Sequence, residues 1–422
     1  MATSKPRRSS RTRRTATTLA EIPDHLVAEI FLRLPAAEDL VRASAACVSF
    51  RRLVTDKSFL RHFRRLHDPP LLAFFDRNGF HHPLPPHPFA PAASALADAA
   101  DLSFSFFPNH GRWSFGTPYP RSSGFDTDRR ILLLRPGAAK QPQVSMEAAV
   151  CDPLHRKYVL LPPVPDDLAA SMMHHPATAH TPWCEAFLVP LDEEAETAFG
   201  VMWMLHFTTR LAAFVYSSTT RQWQAVASKE WNELLLGKGK STMVSPIDRD
   251  FYGRYYAYGC FYWESTMMGK KDLLVFDTRR MEFSSCDLPP KELCPLGLAI
   301  VEAGEARLGL FGIHVEAGKF DLCYYIKGNK CESSSQWQLE KTIPICSGCW
   351  PDIKAATGRY LLLGKFGPMR FVNSTAHEDL EYISVDVKTL QLARVCTKSS
   401  GFAFSKTWIY TNFPPSLSSP KI

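Results

Sequence analysis

Apolar residues between Ile22 and Leu66 recur at steps of three and four, and this stretch, IPDHLVAEIFLRLPAAEDLVRASAACVSFRRLVTDKSFLRHFRRL, reads as short helices. Asp24 is expected to cap a helix that begins after Pro23 and carries Leu26, Val27, Ile30, Phe31 and Leu34 on one side. Pro35 cannot continue the hydrogen-bond ladder, so that helix should stop near Leu34 and a second begin around Ala37, with Leu40, Val41, Ser44 and Cys47 on its inner side. Phe50, Leu53 and Val54 indicate a third helix, and Asp56 can cap a fourth holding Phe59, Leu60 and Phe63. So small a core is marginal on its own and gains stability by docking, which predicts a partner.

The order Ile22-Pro23, Leu26, Ile30, Leu34-Pro35, Leu40, Ala46-Cys47, Phe50, Leu53 and Phe59-Leu60 resembles the F-box, the adaptor-binding module of cullin–RING ubiquitin ligases. In that family the Leu-Pro pair and the apolar helical residues insert into the Skp adaptor protein, which links them to the cullin scaffold. The resemblance implies Ile22, Pro23, Leu26, Ile30, Leu34, Pro35, Leu40, Cys47, Phe50 and Leu53 as Skp-adaptor-binding residues. Phe50 stands where the family commonly has Trp and keeps the aromatic character. The plainer reading of each single residue is closure of a helical miniature core.

Beyond Leu66 the pattern changes. Pro69-Pro70, HHPLPPHPFAP and the alanine-rich ASALADAAD read as a linker and irregular entry segment over residues 67–120, with His81, His82 and His87 as an undirected cluster. From Gly124 the texture is β. Strand-sized runs rich in β-branched and aromatic residues span Ile131–Leu134, Tyr158–Leu161, Val201–Phe207, Leu211–Tyr216, Tyr255–Trp263, Leu273–Phe276, Leu308–Val315, Leu322–Ile326, Tyr360–Phe366 and Tyr382–Val387. No long helix-period pattern interrupts them, which disfavours a parallel α/β sheet.

One local pattern recurs: a turn-forming Asp or Ser is followed six residues later by an apolar or aromatic residue entering the next strand. Asp152 and Tyr158, Ser217 and Trp223, Asp277 and Phe283, and Asp386 and Leu392 stand in this relation. Asp126 with Leu132 reads as a degenerate copy, and Ile326 to Trp337 as a lengthened one. Hairpins repeating at roughly 55 to 65 residues are what a β-propeller with insertions would show. The pattern is similar to the outer blade hairpin of the kelch-like or F-box-associated β domain that follows the F-box in large plant families, although the double Gly of strict kelch blades is missing. The expected fold is therefore α+β and multidomain. It comprises a basic disordered tail (1–18), a small helical F-box (19–66), the linker (67–120) and a mostly antiparallel all-β domain of β-propeller type (121–415).

Charge alters this picture little. Of the formal net charge of +7, six positives lie in Lys5, Arg7, Arg8, Arg11, Arg13 and Arg14, ahead of the first acid at Glu21, so the rest of the chain is near neutral. That disfavours a nucleic-acid-binding body, and the tail reads either as solvated chain or as a nuclear-import or polyanion contact. No apolar run suits a signal peptide or a membrane helix, and the cysteine count, 11, is odd, so reduced thiols in the cytoplasm or nucleus are expected. Cys346 and Cys349 form a CxxC, but no second pair or nearby His completes a zinc site, and the helix-opening context of a redox pair is missing. No metal or other cofactor is implied.

Catalytic chemistry finds little footing. Asp166-Asp167 and Asp192-Glu193-Glu194 read as solvated loops, and no nucleophile elbow, phosphate loop or HExxH pair is present. Trp223 and Trp337 sit at hairpin positions and read as packing, whereas Trp113, Trp183, Trp203, Trp231, Trp263, Trp350 and Trp408 are less constrained and could line a recognition surface. The resemblance implies a non-catalytic substrate receptor of a Skp–cullin–F-box ubiquitin ligase, with the β domain binding an unidentified target protein. An adaptor-binding scaffold without ubiquitination shares every sequence feature, and a propeller enzyme or carbohydrate binder stands further off.

Overall fold

The computed structural model describes residues 22–35, 37–76, 79–108, 113–115, 130–135, 147–173, 183–191, 198–207, 209–231, 233–234, 251–265, 272–288, 297–328, 337–367, 378–400 and 407–413. The chain divides into two compact units, Met1–Asp68 and Pro69–Ile422. The expected tail, 1–18, lies outside the described residues.

The first unit holds α1 (Asp24–Leu32), α2 (Ala37–Ala46), α3 (Val48–Val54) and α4 (Lys57–Leu66). Pro23, not Asp24, takes the N-cap position of α1. Its carbonyl accepts the Leu26 and Val27 N–H groups at 2.9 and 3.2 Å, and no side chain caps this end. The helix stops two residues before the expected Leu34, because Arg33 and Leu34 bond back only three residues, to Ile30 and Phe31, ahead of Pro35. Asp56 does cap α4: its Oδ1 accepts the Ser58 and Phe59 N–H groups at 2.9 and 3.0 Å. The Ser58 hydroxyl and these backbone donors hold the Asp56 carboxyl below its usual range. Val27, Phe31, Leu32, Ala37, Leu40, Val54, Phe59, Leu60 and Phe63 form the interior, and His67 Nε2 reaches the Leu32 carbonyl at 2.7 Å, tying the end of α4 to that of α1.

The second unit is a six-blade antiparallel β-propeller. Blade 1 is β3 (Ser114–Phe115), β4 (Ile131–Arg135), β5 (Glu147–Asp152) and β6 (Lys157–Leu160); blade 2 is β7 (Trp183–Val189), β8 (Gly200–His206), β9 (Arg210–Ser217) and β10 (Gln222–Glu230). Blade 3 is β11 (Phe251–Ala257), β12 (Cys260–Ser265), β13 (Asp272–Asp277) and β14 (Glu282–Asp287). Blade 4 is β15 (Leu298–Glu302), β16 (Leu308–Glu316), β17 (Lys319–Lys327) and β18 (Trp337–Ser347), and blade 5 is β19 (Trp350–Ala356), β20 (Tyr360–Phe366), β21 (Glu378–Asp386) and β22 (Leu392–Ser400). Blade 6 joins the two ends of the unit: β1 (Leu71–Asp76) pairs with both β2 (Gly79–His81) and β23 (Trp408–Thr411). The segment expected to be a linker therefore supplies two strands, and its alanine-rich run is α5 (Ala90–Ala99), packed through Ala92, Ala93 and Leu96 between blades 6 and 1.

Alternation along each central strand sends successive side chains to opposite neighbours. In β4, Ile131 and Leu133 meet Leu72, Phe75 and Tyr410 of blade 6, while Leu132 joins Trp203 and Leu205 of blade 2. In β8, Met202 and Met204 face Phe261 and Leu274 of blade 3, and in β20, Leu361 and Leu363 face blade 4 while Tyr360 and Leu362 face Phe74 of blade 6. Both faces of each sheet are thus covered, so these strands read as continuous apolar runs. The last strand of each of blades 1 to 5 is the outer edge, where exposed positions prevail in β6, β10, β14 and β18.

The recurring Asp/Ser hairpin falls each time between the third and fourth strands. Asp277 Oδ1 accepts the Arg279 and Arg280 N–H groups at 2.9 and 3.0 Å, and Asp386 Oδ1 accepts those of Lys388 and Thr389 at 2.9 and 3.2 Å. Ser217 Oγ and Asp152 Oδ1 serve Thr219 and His155 in the same way. The fourth residue on, Arg156, Arg221, Met281 or Leu390, turns the chain at φ 52°, 56°, 55° and 56°. The residue six on then stands opposite the one before the Asp or Ser, as Trp223 does against Tyr216 and Phe283 against Phe276. Ile326 and Trp337 belong to this hairpin in blade 4, whereas Leu132 lies in a second strand and Asp126 outside the described residues, so that pair is no copy of the motif. The run Tyr255–Trp263 is two strands, folded at Tyr258-Gly259, both at positive φ.

Several polar groups inside the propeller are paired, some across blades and some within one. Glu185 of β7 meets Arg254 of β11 at 2.7 Å and accepts the Trp263 indole N–H at 3.1 Å; Arg254 lies 4.2 Å from the Phe187 ring centroid. His81 and His87 have fixed partners: His81 Nε2 meets Asp76 at 2.7 Å beside Lys398, and His87 Nε2 donates to Ser384 Oγ at 3.0 Å while its Nδ1 accepts the Phe89 N–H. Asp352 meets Lys354 at 2.8 Å, and burial raises its carboxyl to about 6. Gly364 leaves this pair room, since a Cβ there would sit 2.8 Å from Asp352 Oδ1.

Cys346 and Cys349 are joined in a disulfide at the turn from β18 to β19, against the expectation of reduced thiols throughout. β18 leads directly into β19 through Gly348 at φ 72°, which brings the two Cα atoms to 6.1 Å. So short a ring constrains the unfolded chain by only about 2 kcal/mol.

Two outcomes follow for stability. Glu185→Leu should lower unfolding free energy by about 3–5 kcal/mol in urea titration, because it removes the buried carboxylate that Arg254 meets at 2.7 Å. Burial lowers the pKa values of His87 and His206 to about 4 and about 3 from 6.5, so each is neutral in the fold and binds a proton on unfolding. Stability should therefore fall as pH drops below 6.5, opposed in part by Asp352, which keeps its proton up to about 6. The urea midpoint followed from pH 7 to pH 5 reads the net loss, and His87→Gln should flatten it.

Candidate functional site

Helix α1 carries two adjacent apolar stripes. Val27 and Phe31 are 3% and 7% exposed and fill the interior, whereas Leu26 and Ile30, one residue earlier in each turn, are both 47% exposed. Residues four apart share a face, so this offset turns Leu26 and Ile30 outward together. Pro23 and Pro35 are exposed at the two ends of the helix, and Ile22 and Leu34 are half-buried beside them.

The second part of the surface is the junction of α2 and α3. Cys47 caps α3 from an extended backbone and is exposed; hydrogen bonds from the Ser49 hydroxyl and the Phe50 and Ser49 backbone hold its thiol below the usual range. Phe50 and Leu53 are half-buried, Phe50 meeting Phe31 edge-on at 5.1 Å. Leu40, which the resemblance implies as adaptor-binding and the spacing puts on the inner side of α2, is 0% exposed and belongs to the interior. Val48 is the reverse case. It is 83% exposed, and sequence reasoning passed over it because the apolar count began at Phe50. An isolated Val at the first turn of a helix, matching neither neighbouring stripe, was the available signal.

An apolar surface of this kind on so small a unit is the feature that the family comparison bears on. Residues 19–66 match the F-box-like family. They form an F-box-like domain. No curated protein matches the chain.

Several solved structures are similar to the chain. The fucose-specific lectin from Aleuria aurantia is 12% identical, with a TM-score of 0.31, over 66% of this chain and 78% of that one. The WD40 domain of SCAP from fission yeast is 8% identical at a TM-score of 0.30, over 66% and 72% of the two chains. An oligogalacturonate lyase in complex with manganese is 8% identical at 0.33, over 65% and 64%. At these scores the likenesses carry nothing about function.

Outside the F-box-like domain the sequence candidates disperse. Asp166 and Asp167 open helix α6 (Asp166–Met173) rather than lying in a loop, and acids in a first turn are favourably placed against the helix dipole. Asp192-Glu193-Glu194 lies outside the described residues. Trp203, Trp223, Trp231 and Trp263 are buried between strands, and the Trp223 and Trp231 indoles donate to the carbonyls of Pro162 and Phe207 at 2.8 Å each, which withdraws them from any recognition surface. Among the described residues, no three His, Cys, Asp or Glu side chains converge as metal ligands.

The two stripes of α1 make opposite predictions. Val27→Ala should destabilise the F-box-like domain by about 1–3 kcal/mol, whereas Leu26→Ala should stay within about 0.5 kcal/mol of the parent. Thermal unfolding followed by far-UV circular dichroism distinguishes them.

Proposed function

We propose that the protein is the substrate-recognition subunit of a Skp–cullin–F-box ubiquitin ligase: the F-box-like domain docks a Skp adaptor, and the propeller binds a target protein for ubiquitination. The observation that carries this reading is the outward stripe of Leu26 and Ile30 beside a complete interior built from Val27 and Phe31. Large apolar side chains at that exposure on a unit with so little core are stabilised by a partner that covers them. Ile22, Pro23, Leu34, Pro35, Cys47, Phe50 and Leu53, all exposed or half-buried, supply the remainder of the docking surface, with Val48 added and Leu40 beneath it.

The subunit contributes proximity. An adaptor-bound cullin holds the charged conjugating enzyme, the propeller holds the target, and the effective concentration of target lysines rises without any bond chemistry in this chain. The compartment proposed is the cytoplasm or nucleus. A scaffold that binds the adaptor without promoting transfer is the alternative, and reconstitution with cullin and ubiquitin on a captured target separates the two.

The test is capture of purified Skp adaptor by the full-length protein and by a Leu26→Asp, Ile30→Asp double variant. Two large apolar side chains at about 1.5 kcal/mol each predict roughly a hundredfold weaker binding. Circular dichroism should be unchanged, because neither residue belongs to the interior. Undiminished adaptor binding by the folded variant would overturn the reading.

A further inference from the structure

Among the described cysteines Cys346 and Cys349 are bonded to each other, whereas Cys47 is exposed and free, Cys260 and Cys286 are half-buried and free, and the rest are buried. Cys151, Cys184, Cys323 and Cys396 are buried, and burial pushes the thiols of Cys184 and Cys396 up to about 12, where they are chemically inert. Cys346 and Cys349 are half-exposed, at a turn on the protein's surface.

The fold around them does not depend on the bond. Ser347 is already paired with Lys319 in the β17–β18 ladder, Trp350 with Phe366 in the β19–β20 ladder, and Gly348 turns the chain between them. Closing a ring of only four residues removes little freedom from the unfolded chain. A bond that is half-exposed and contributes little to folding is suited to being made and broken in the native state.

Its state has a route into the core. Cys346 stands opposite Phe320 in the ladder, and Phe320 meets Trp350 edge-on at 5.3 Å. Trp350 follows Cys349 directly and packs against the apolar clusters on both sides of blade 5. Its buried indole N–H meets no acceptor among the described residues, so no hydrogen bond fixes the ring in this position.

We propose that Cys346 and Cys349 are a reversible redox site that exchanges with low-molecular-weight thiols and disulfides, and that its oxidation state sets the packing of Trp350 where blade 4 passes into blade 5. In reduction, one small thiolate attacks a cysteine sulfur, forming a mixed disulfide and freeing the other cysteine, which takes up a proton. A second small thiol displaces the first cysteine, so two small thiols leave as one disulfide and the protein gains two S–H groups. Oxidation by a small disulfide is the reverse. This inference is independent of the adaptor-docking reading.

The test equilibrates the full-length protein across a series of reduced to oxidised glutathione ratios, traps thiols by alkylation for mass analysis, and records tryptophan emission. Cys346 and Cys349 should pass together from disulfide to dithiol across the series, with circular dichroism unchanged and the emission change following the same curve. C346S and C349S should each abolish both changes, whereas W350F should abolish the emission change and keep the thiol titration. A disulfide that persists in reduced glutathione alone, a dithiol that persists in oxidised glutathione alone, or unfolding on reduction would overturn the proposal. Thiol titration without an emission change would overturn its coupling to Trp350.

Discussion

Every blade of the propeller is apolar on both faces, and that constraint governs the rest of the unit. A sheet with one uncovered face would leave a row such as Leu361 and Leu363, or Ile131 and Leu133, in water at about 1.5–3 kcal/mol for each large side chain. The ring must therefore close, and closure is performed by the pairing of β1 with β23, Phe74 opposite Ile409 and Phe75 opposite Trp408. The propeller accordingly begins at Pro69, directly after the helical unit. β1 is buried at all six positions because it is a central strand of blade 6, with β2 and β23 on either side.

The helical unit solves the opposite problem. With few residues to bury, it divides the apolar positions of α1 between two stripes, and Val27 and Phe31 do the packing while Leu26 and Ile30 stay outside. Leu40 and Val48 show the same division on α2 and α3, one at 0% and the other at 83% exposure. A core completed without the outward stripe holds that stripe in place by itself, so the proposed docking surface would be preorganised rather than formed on contact.

Period and turn chemistry were the legible parts of the sequence. The helices between Asp24 and Leu66 follow from apolar spacing and from Pro35, and the third-to-fourth hairpins follow from Asp or Ser with an aromatic six residues on, because side-chain capping of turn amides is local. What was hidden is non-local. Leu71–Asp76 pairs with a strand more than three hundred residues away, and nothing beside it announces that partner, so LLAFFD was absorbed into a proline-rich linker. Tyr258-Gly259 was overlooked because a two-residue turn inside an aromatic run leaves the period of two almost unbroken. Periodicity also could not separate Leu26 from Val27 on α1, since a stripe that faces the interior and one that faces outward have the same spacing.

The interior arrangement decides which side chains are left at the propeller's surface. Trp203, Trp223, Trp231 and Trp263 are spent between strands, and the ionic pairs of Glu185 with Arg254 and Asp352 with Lys354 are enclosed with them. The hairpins and inter-blade connections lie at the surface, and the repeated hairpin gives one end of the propeller a consistent character. Its Asp residues are turned inward to accept backbone N–H groups, while Arg156, Lys157, Arg221, Arg279, Arg280 and Lys388 are exposed in the same loops, with Glu282 the one exposed acid within these four. Because the strand order is the same in every one of these blades, those side chains emerge at the same end of each. The loops that carry the hairpin turns thus also set the sign of the charge along that rim.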